Sequence, residues 1–379
     1  MLKNIVVRNF KCFKNETIFD FKKTNYKLLE QNTHGKLLKG ALFVGENASG
    51  KTTAIQPIKL LLDMLFKDED INLALYQCMF SSDKTTTLNY EFDIEEHVIE
   101  YAFSFSGNHL IEETLKVDKK QIIERIKDNA KLYLSNNVSF HEVDSRLLFL
   151  KRVYFNTKFE GNDILLKWFY FLKQSVYINA YSRKVITYNG ESFAAHKYFE
   201  KYGTEKINQF FRKNNFKYTI QYAQKMEHKG IKYHTLEEDK MIFFERKDID
   251  VSIPIFLESV GNQTLINVLP AILHVVQTGG LLIIDEFSSG FHNKLEELLV
   301  RYIMNNSKNT QLFFVSHSTN LLTNSLLRPD QIYAVEMKDK EGSILNRFSD
   351  EQPRMAQNLE KMYLSGVFGG IPEYGISKE

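Results

Sequence analysis

The sequence predicts an α/β fold built around a largely parallel β-sheet, and three observations support this prediction. Short continuous apolar runs, typical of buried strands, lie at residues 41–44, 281–284 and 312–315, the last within a predicted strand at 311–316. A stretch with the apolar spacing of an amphipathic helix follows each of the first two runs. Strand–helix–strand alternation of this kind places neighbouring strands in parallel and covers the sheet with helices.

The N-terminal region adds strands of a second kind. Partly alternating apolar residues predict strands at Leu2–Asn9 and Thr17–Phe21, and residues 85–106 predict further strands. Between them, the strand Ala41–Val44 runs into a glycine-bounded loop and then into a helix over Thr52–Phe66. We therefore expect antiparallel strands from this region beside the parallel sheet.

The middle of the chain has a different amino-acid composition, rich in Lys, Asn, Tyr and Phe. Helix-like apolar spacing occurs in KQIIERIKDNAKLYL and again in DILLKWFYFLKQSVY. We interpret residues 115–250 as an inserted, mainly helical lobe, which separates the two halves of the α/β unit at residues 1–114 and 251–379. In the second half, the predicted helices and strands alternate again: Thr264–Thr278, Leu281–Ile284, Asn293–Asn305, Gln311–Ser316, Gln331–Met337 and Ser343–Phe348.

Composition narrows the class of protein. The chain has 379 residues, 43% of them apolar and 25% charged, with a net charge of +2, as in an ordinary globular protein. Two cysteines, Cys12 and Cys78, have no metal-binding spacing and predict neither a disulfide framework nor a zinc site. Charges interrupt the N-terminal apolar stretch, and polar residues interrupt the apolar region 268–287. We therefore expect a cytoplasmic protein without a signal peptide or membrane span.

One segment matches G-x-x-x-x-G-K-[ST] completely and is called the phosphate loop below (residues 45–52). Its glycines allow successive backbone N–H groups to point at phosphate oxygens, and the following helix adds its positive end. Lys51 supplies a charge for the β- and γ-phosphates, and Thr52 offers a hydroxyl to Mg²⁺. The predicted ATP-binding residues here are Gly45, Glu46, Asn47, Ala48, Ser49, Gly50, Lys51, Thr52 and Thr53.

Two acidic residues end the buried strand 281–284. Asp285 and Glu286 would lie at the edge of the sheet where ligands bind in open α/β folds. We expect Asp285 to hold Mg²⁺ together with Thr52, and Glu286 to orient and polarise the attacking water. After a phosphate loop, such a pair predicts metal-assisted phosphoryl transfer.

Two further elements complete the predicted site. Ser259 and Gly261 precede an apolar helix, and the start of a helix can bind an anion through free N–H groups and the serine hydroxyl. Ordinary helix capping by Ser259 is the alternative. His317 follows the strand 311–316 and could hydrogen-bond the γ-phosphate or the attacking water, so we count it with Lys51 and Glu286 as catalytic.

With these residues in place, the chain resembles the ABC-like AAA family ATPases of bacteria, relatives of the SMC, RecF and OLD proteins. The similarity rests on the opening VRNFKCF, on Glu258-Ser259-x-Gly261, on LLIIDEF and SHSTNLL, and on the tail YLSGVFGGIP. The chain has SVGNQ where transporter ATPases have LSGGQ, and Ser318 where the family often has Asp.

The resemblance implies an ABC-type P-loop ATPase head at residues 1–114 and 251–379, with Lys11 near the nucleotide. It implies a homo-oligomer in which Ser259 and Gly261 of one subunit cap the γ-phosphate held by its partner, so that two copies sandwich ATP head to tail. The tail and the motif order are similar to those of the ATPase subunits of phage-defence and abortive-infection systems. The resemblance therefore implies a sensor or regulatory ATPase that controls a separate nuclease- or toxin-like effector.

Other functions stay open at this point. A RecF- or SMC-like ATPase of DNA repair or recombination is the main alternative, followed by a transporter subunit and a nucleotide-gated scaffold that barely hydrolyses ATP. Residues 197–232 carry nine Lys or Arg against three acids, interleaved with aromatics. They could contact DNA or RNA, form a solvated helix face over core aromatics, or dock a protein.

Overall fold

A computed structural model describes residues 1–134, 137–228, 231–234, 240–247 and 249–371. Within these residues, one large antiparallel sheet and one mostly parallel sheet, together with α-helices, make up most of the fold. None of the described helices is both long enough and apolar enough to span a membrane.

The strands follow one another along the chain with these bounds: β1 (Leu2–Arg8), β2 (Thr17–Asp20), β3 (Thr33–His34), β4 (Leu37–Leu38), β5 (Gly40–Val44), β6 (Thr86–Ile94), β7 (His97–Ser106), β8 (His109–Val117), β9 (Lys120–Ile126), β10 (Asn129–Tyr133), β11 (Asn137–Phe140), β12 (Val176–Asn179), β13 (Lys184–Thr187), β14 (Tyr218–Ala223), β15 (Lys225–His228), β16 (Ile231–His234), β17 (Met241–Arg246), β18 (Ile249–Pro254), β19 (Gly280–Asp285), β20 (Thr310–Val315), β21 (Ile332–Lys338) and β22 (Gly342–Arg347).

The α-helices are α1 (Lys51–Phe66), α2 (Phe149–Thr157), α3 (Asp163–Lys173), α4 (Ala195–Tyr202), α5 (Glu205–Lys213), α6 (Val260–Thr278), α7 (Asn293–Asn306) and α8 (Leu359–Leu364). The predicted elements of the two α/β halves are confirmed: β1, β2, β5, α1, α6, β19, α7, β20, β21 and β22 lie where the sequence places them, within a few residues.

The antiparallel sheet has eight strands in the order β11-β10-β9-β8-β7-β6-β1-β2. Tight turns join its central strands. Gly107 and Asn108 connect β7 to β8, whereas charged residues form two other turns. Glu95 and Glu96 connect β6 to β7 with φ of 50° and 70°, and Asp118 and Lys119 connect β8 to β9 with φ of 48° and 67°. Two consecutive residues with left-handed backbone conformation form a turn whose twist matches the right-handed twist of the two strands.

The mostly parallel sheet has seven strands in the order β13-β12-β19-β20-β5-β21-β22. The five inner strands run parallel, and β13 and β22 pair antiparallel at the edges. The carboxyl ends of β5, β12, β19 and β20 therefore meet at one edge. This edge carries the phosphate loop after β5, Asp285 at the end of β19 and His317 just beyond β20.

The two faces of the parallel sheet belong to two separate apolar cores. Ala41 and Phe43 of β5 point into a core shared with α1 and the antiparallel sheet. Leu42 and Val44 point the other way, into a core shared with α6 and α7. Because side chains alternate along a strand, each buried strand of this sheet contributes to both cores, and its sequence reads as a continuous apolar run.

The segment 115–250 differs from the mainly helical lobe that the sequence predicts. KQIIERIKDNAKLYL forms β9 and β10, which extend the antiparallel sheet. DILLKWFYFLK forms the predicted helix α3, but the residues that follow form β12 in the parallel sheet, next to β19. Apolar residues lie a few positions apart both in an amphipathic helix and in a hairpin of short strands. The turns of these hairpins consist of charged residues, so the sequence contained no signal for a turn.

A small unit made of α4, α5 and the three-stranded sheet β14-β17-β18 lies between β13 and α6 in the chain; it is called the inserted unit below. Its apolar residues share the core of α6 and α7, with Phe199, Phe211, Ile220 and Phe244 buried there. The inserted unit is therefore packed onto the helical face of the parallel sheet.

Candidate functional site

The phosphate loop has the geometry that its sequence predicts. It leaves β5 at Gly45, whose φ is 152°, and enters α1 after Gly50, whose φ is 105°. A β-carbon on Gly50 would lie 2.6 Å from Sγ of Cys12 and 2.7 Å from Oγ of Ser343, so a side chain has no room there. The first N–H groups of α1 have no acceptor within their own helix, and they form an anion-binding end.

Lys51 is buried at the first position of α1. Its Nζ donates hydrogen bonds to the carbonyl oxygens of Gly45 at 3.0 Å and Glu46 at 2.5 Å, across the mouth of the loop. Burial lowers the pKa of Lys51, although the carboxylates of Glu286, Glu46 and Asp285 oppose this shift. The Oγ of Ser49 is also buried, and it has no hydrogen-bond partner among the described residues. The Lys51 ammonium and the Ser49 hydroxyl could thus both hydrogen-bond phosphate oxygens.

Thr52 and Asp285 form the candidate magnesium site. Oγ1 of Thr52 donates to Oδ1 of Asp285 at 3.0 Å, and Asp285 is 4% exposed. Burial raises the pKa of Asp285, because a carboxylate without water is destabilised. Hydroxyl and carboxylate oxygens are the ligands that Mg²⁺ prefers, and a cation would relieve the buried charge, so the residues present fit this metal.

Two residues of β12 belong to this site, and sequence reasoning missed them. The hydroxyl of Tyr177 donates to Oδ2 of Asp285 at 3.4 Å, and Nδ2 of Asn179 contacts the same oxygen at 3.5 Å. Burial, and then the charge of Asp285, raise the pKa of Tyr177 to about 12, so the hydroxyl remains a donor. β12 has only four residues and begins three positions after the end of α3, so the sequence does not distinguish it from a continuation of that helix.

Glu286 and His317 face each other at the same edge. Oε2 of Glu286 lies 3.8 Å from Nε2 of His317, and it accepts a hydrogen bond from Oγ of Ser289 at 3.3 Å. The backbone of Glu286 is left-handed, with φ of 54°, which costs a residue other than glycine about 1 kcal/mol. Burial, and then the Lys51 ammonium, lower the pKa of His317. A neutral imidazole and a partly exposed carboxylate therefore adjoin the phosphate loop.

Lys11 lies in a tight turn near the loop. The turn Lys11–Cys12 is closed by paired hydrogen bonds between Phe10 and Phe13, and Cys12 packs against Gly50. The Lys11 ammonium lies 5.0 Å from the centre of the Tyr76 ring, and burial lowers its pKa. The remaining predicted loop residues are accessible: Asn47 and Ala48 are exposed, and Thr53 is partly exposed.

Ser259 caps α6, which is the helix-capping role that the sequence offered as the alternative to anion binding. Its Oγ accepts a hydrogen bond from the backbone N–H of Asn262 at 3.3 Å, and the residue is exposed. Gly261 has a packing role within its own chain, because a β-carbon there would lie 2.6 Å from the carbonyl oxygen of Gly290. The start of α6 is therefore in close contact with the loop that follows Glu286.

The C-terminal tail packs beside the phosphate loop. A β-carbon on Gly370 would lie 3.5 Å from Cα of Gly45 and 3.1 Å from the carbonyl oxygen of Val335. The hydroxyl of Tyr363 donates to the carbonyl oxygen of Gly370 at 3.1 Å. The glycine-rich tail motif thus lies against the base of the loop; its last residue, Pro372, lies outside the described residues.

The aromatic side chains of the basic segment 197–232 mostly pack against or into the core, which limits the surface on which bases could stack. Tyr202 is the most exposed described aromatic there, at 41%, and Phe210 and Phe211 are buried. Two of the basic side chains pair with acids, Lys201 with Glu191 and Arg212 with Glu205. Residues 229 and 230 lie outside the described residues. The solvated-face interpretation therefore fits α4 and α5, and a DNA or RNA contact through this segment stays one of the open possibilities.

Comparison with protein families gives one decisive match. Residues 41–323 match the family described as "AAA domain, putative AbiEii toxin, Type IV TA system". The match spans well over half of the chain. The chain belongs to this family. It is thus an ABC-like AAA protein, as the motifs predicted, and the matched range runs from the strand before the phosphate loop past His317.

Solved structures show that this chain has the fold of the SMC heads. The chain is 12% identical to an SMC head bound to the C-terminal winged-helix domain of ScpA, with a TM-score of 0.53, and the match covers 91% of this chain and 96% of that one. An SMC head with an extended coiled coil, bound to the C-terminal domain of ScpA derived from Pyrococcus furiosus, matches at 12% identity and a TM-score of 0.50, over 91% and 95%. No curated protein matches the chain. The predicted ABC-type P-loop fold is confirmed.

Proposed function

We propose that this chain binds ATP with Mg²⁺ and hydrolyses it, and that the working enzyme is a head-to-tail homodimer. The observation that carries the proposal is the grouping of five side chains at one edge of the parallel sheet: Lys51, Thr52, Asp285, Glu286 and His317. Each has the chemistry that one part of phosphoryl transfer requires.

Each side chain has a distinct role in the proposed reaction. Lys51 and the N–H groups at the start of α1 bind the phosphate oxygens. Thr52 and Asp285 would hold Mg²⁺, which neutralises phosphate charge when it is bound. Glu286 orients a water molecule and accepts its proton, and neutral His317 donates a hydrogen bond to the γ-phosphate or receives one from the water.

The start of α6 supports the dimer. Ser259 exposes its helix end to solvent, and three apolar side chains beside it are also exposed: Phe256 at 61%, Leu257 at 59% and Val260 at 59%. Apolar residues clustered on an exposed surface are typical of a protein interface. A second copy placed with its phosphate loop against this surface would cover the patch and bring Ser259 and Gly261 to the γ-phosphate, twice by symmetry.

In the cell, we propose that the chain is the sensor or regulatory ATPase of an anti-phage defence system and controls a separate nuclease- or toxin-like effector. The family's description, which includes a putative AbiEii toxin and a type IV toxin–antitoxin system, supports a defence role in general and names no separate effector. Cys12 and Cys78 are free thiols, which suits the reducing cytoplasm.

The catalytic assignment is tested with Glu286→Gln. We expect ATP binding to persist, hydrolysis to fall by about 10²- to 10⁴-fold, and an ATP-bound dimer to accumulate, because the amide cannot accept the proton. Phosphate release, nucleotide titration and size-exclusion chromatography measure the three effects. Glu297→Gln, on the first turns of α7, is the matched control and should hydrolyse ATP normally. Hydrolysis by Glu286→Gln at the wild-type rate would show that this residue is not the base.

The composite site is tested by mixing two inactive variants. The Ser259→Arg subunit should bind ATP at its own phosphate loop but block hydrolysis at the partner's loop. The Lys51→Ala subunit should fail to bind ATP at its own phosphate loop. A mixed dimer has one intact pair of phosphate loop and α6 start. An equal mixture should therefore regain about a quarter of the wild-type rate, because half of the dimers are mixed and have one working site of two. An inactive mixture would argue against a shared site.

The regulatory role is tested by affinity purification of the Glu286→Gln chain from its host. We expect one effector protein to co-purify, to be toxic when produced alone, and to change its toxicity when this ATPase is present. An effector whose toxicity is the same with wild-type and Lys51→Ala chains would contradict nucleotide-dependent control.

A further inference from the structure

Polar side chains of the inserted unit form an ion pair and a hydrogen bond with residues at the start of α6. We propose that Arg246 and Tyr218 of this unit are positioning residues that place Ser259 for hydrolysis at the nucleotide of the partner subunit. This inference rests on the head-to-tail dimer proposed above. It gives the inserted unit a role in the reaction.

Arg246 acts on the residue immediately before Ser259. Its Nη2 lies 2.6 Å from Oε1 of Glu258, whose side chain is 4% exposed, so this carboxylate is largely removed from water. The other carboxylate oxygen of Glu258 accepts a hydrogen bond from Nδ2 of Asn262 at 2.8 Å. The acid is thus tied at one oxygen to β17 of the inserted unit and at the other to the first turn of α6.

Tyr218 acts on the residue that Ser259 caps. Its hydroxyl donates to Oδ1 of Asn262 at 3.0 Å, and the backbone N–H of Asn262 donates to Oγ of Ser259 at 3.3 Å. Burial, and then the charge of Glu258, raise the pKa of Tyr218, which keeps its hydroxyl protonated as a donor. Asn262 therefore links the inserted unit directly to the serine hydroxyl.

A third contact fixes the same turn from the side of the chain's own nucleotide site. Nη1 of Arg183 donates to Oε1 of Gln263 at 2.8 Å, and Nε2 of Gln263 donates to the carbonyl oxygen of Glu258 at 2.8 Å. Arg183 follows β12, whose last residue is Asn179 beside Asp285. The turn around Ser259 is thus held between the inserted unit and the edge of the parallel sheet.

The physical reason for a catalytic effect is geometric. A hydroxyl that stabilises the γ-phosphate must stay within hydrogen-bond reach, and a displacement of about 1 Å can slow a reaction by about 10²-fold. Without Arg246, Glu258 is a buried carboxylate without its cation, and the turn must move to bring it to water. Because Ser259 serves the partner's nucleotide, the damage should fall on the partner's site.

The experiment compares Arg246→Ala with wild type in purified full-length protein. We expect ATP affinity to be unchanged and kcat to fall by about tenfold or more. Arg246→Lys, which keeps the charge, should restore part of the rate. Arg212→Ala removes an exposed arginine of the same unit and should leave kcat unchanged. An equal mixture of Arg246→Ala with Lys51→Ala should be more active than either alone, because one site keeps an intact loop and an intact α6 start.

Tyr218→Phe provides a second variant that removes one oxygen atom and keeps the core packing. It should lower kcat without changing ATP affinity, and it should also recover in the mixture with Lys51→Ala. Wild-type kcat in both Arg246→Ala and Tyr218→Phe would overturn the inference. So would a defect that fails to recover in these mixtures while Ser259→Arg does recover. If Ser259→Arg also fails to recover, the shared site itself is wrong, which separates failure of the dimer from failure of this inference.

Discussion

The hydroxyl of Thr52 donates a 3.0 Å hydrogen bond to Oδ1 of Asp285, although the two residues are 233 positions apart in the chain. This contact joins the first turn of α1 to the end of β19. It holds two oxygen atoms side by side at the edge of the sheet, where Lys51 and Glu286 also lie. The phosphate loop and the acid proposed to bind the metal are therefore joined by a direct hydrogen bond.

Thr52→Val should raise the Mg²⁺ requirement of ATP hydrolysis. Valine has the shape of threonine but has no oxygen to bind the metal or to hydrogen-bond Asp285. We expect the Mg²⁺ concentration for half-maximal rate to rise by about tenfold or more. A Mg²⁺ titration of phosphate release measures this. The same half-maximal concentration as wild type would remove Thr52 from the proposed metal site.

Lys51→Ala should weaken ATP binding. The ammonium already donates two hydrogen bonds across the loop mouth, and loss of a charged hydrogen-bonding group costs about 1.5–3 kcal/mol, or roughly 10- to 150-fold in affinity. Calorimetric titration with ATP tests this. Lys67→Ala, at the other end of α1, should bind ATP as wild type does. Equal affinities of the two variants would contradict the assignment.

His317 should make the protein less stable in mild acid. Its pKa in the folded state is lowered below the ordinary value of 6.5, so the unfolded chain takes up the proton first as pH falls. Stability from this residue is therefore present above pH 6.5 and is lost below it. Denaturant midpoints at pH 7.5 and about pH 5.5 should differ less for His317→Gln than for wild type. An equal difference would show that the histidine does not contribute.

Arg328→Ala should destabilise the fold without touching the site. Arg328 and Asp330 are fully buried, with Nε and Oδ1 at 2.9 Å, and Thr24 donates to the other oxygen of Asp330 from its N–H at 2.7 Å. Removal of one partner leaves a buried charge, at a cost of about 3–5 kcal/mol. Urea denaturation measures the change. Arg301→Ala, an exposed arginine, should change the free energy of unfolding by less than about 0.5 kcal/mol. Equal effects of the two would argue against a buried pair.

The sequence was sufficient where one local pattern implies one local structure. The strand–loop–helix around Gly45 to Thr52 and the strand that ends at Asp285 each have an unambiguous pattern, because buried parallel strands read as apolar runs and phosphate loops need glycine at fixed positions. The roles of Ser259 and Lys11 in ATP binding remain predictions. Their distances to a nucleotide depend on a partner or a ligand.

The sequence was insufficient where pairing between distant residues decides the structure. β9 and β10 were predicted as helix because Asp118, Lys119 and Lys127 adopt left-handed backbone conformations without any glycine to signal a turn. Asn179 and Tyr177 were missed because β12 is a strand of four residues that pairs with β13 and with a partner distant in the chain, β19. Local propensity carries no information about that partner.

The position of β5 in its sheet has a consequence for synthesis of the protein. β5 emerges early from the ribosome, yet its neighbours are β20 and β21, with Ala41 paired to Phe313 and Leu42 to Ile332. At ordinary translation speeds, its apolar run waits roughly 15–60 s for them. The nascent chain therefore carries an unpaired aggregation-prone strand until β20 and β21 have been made, and only then does the strand before the phosphate loop gain its neighbours. Retention on immobilised ATP would thus select chains that include β20 and β21 over chains truncated before them.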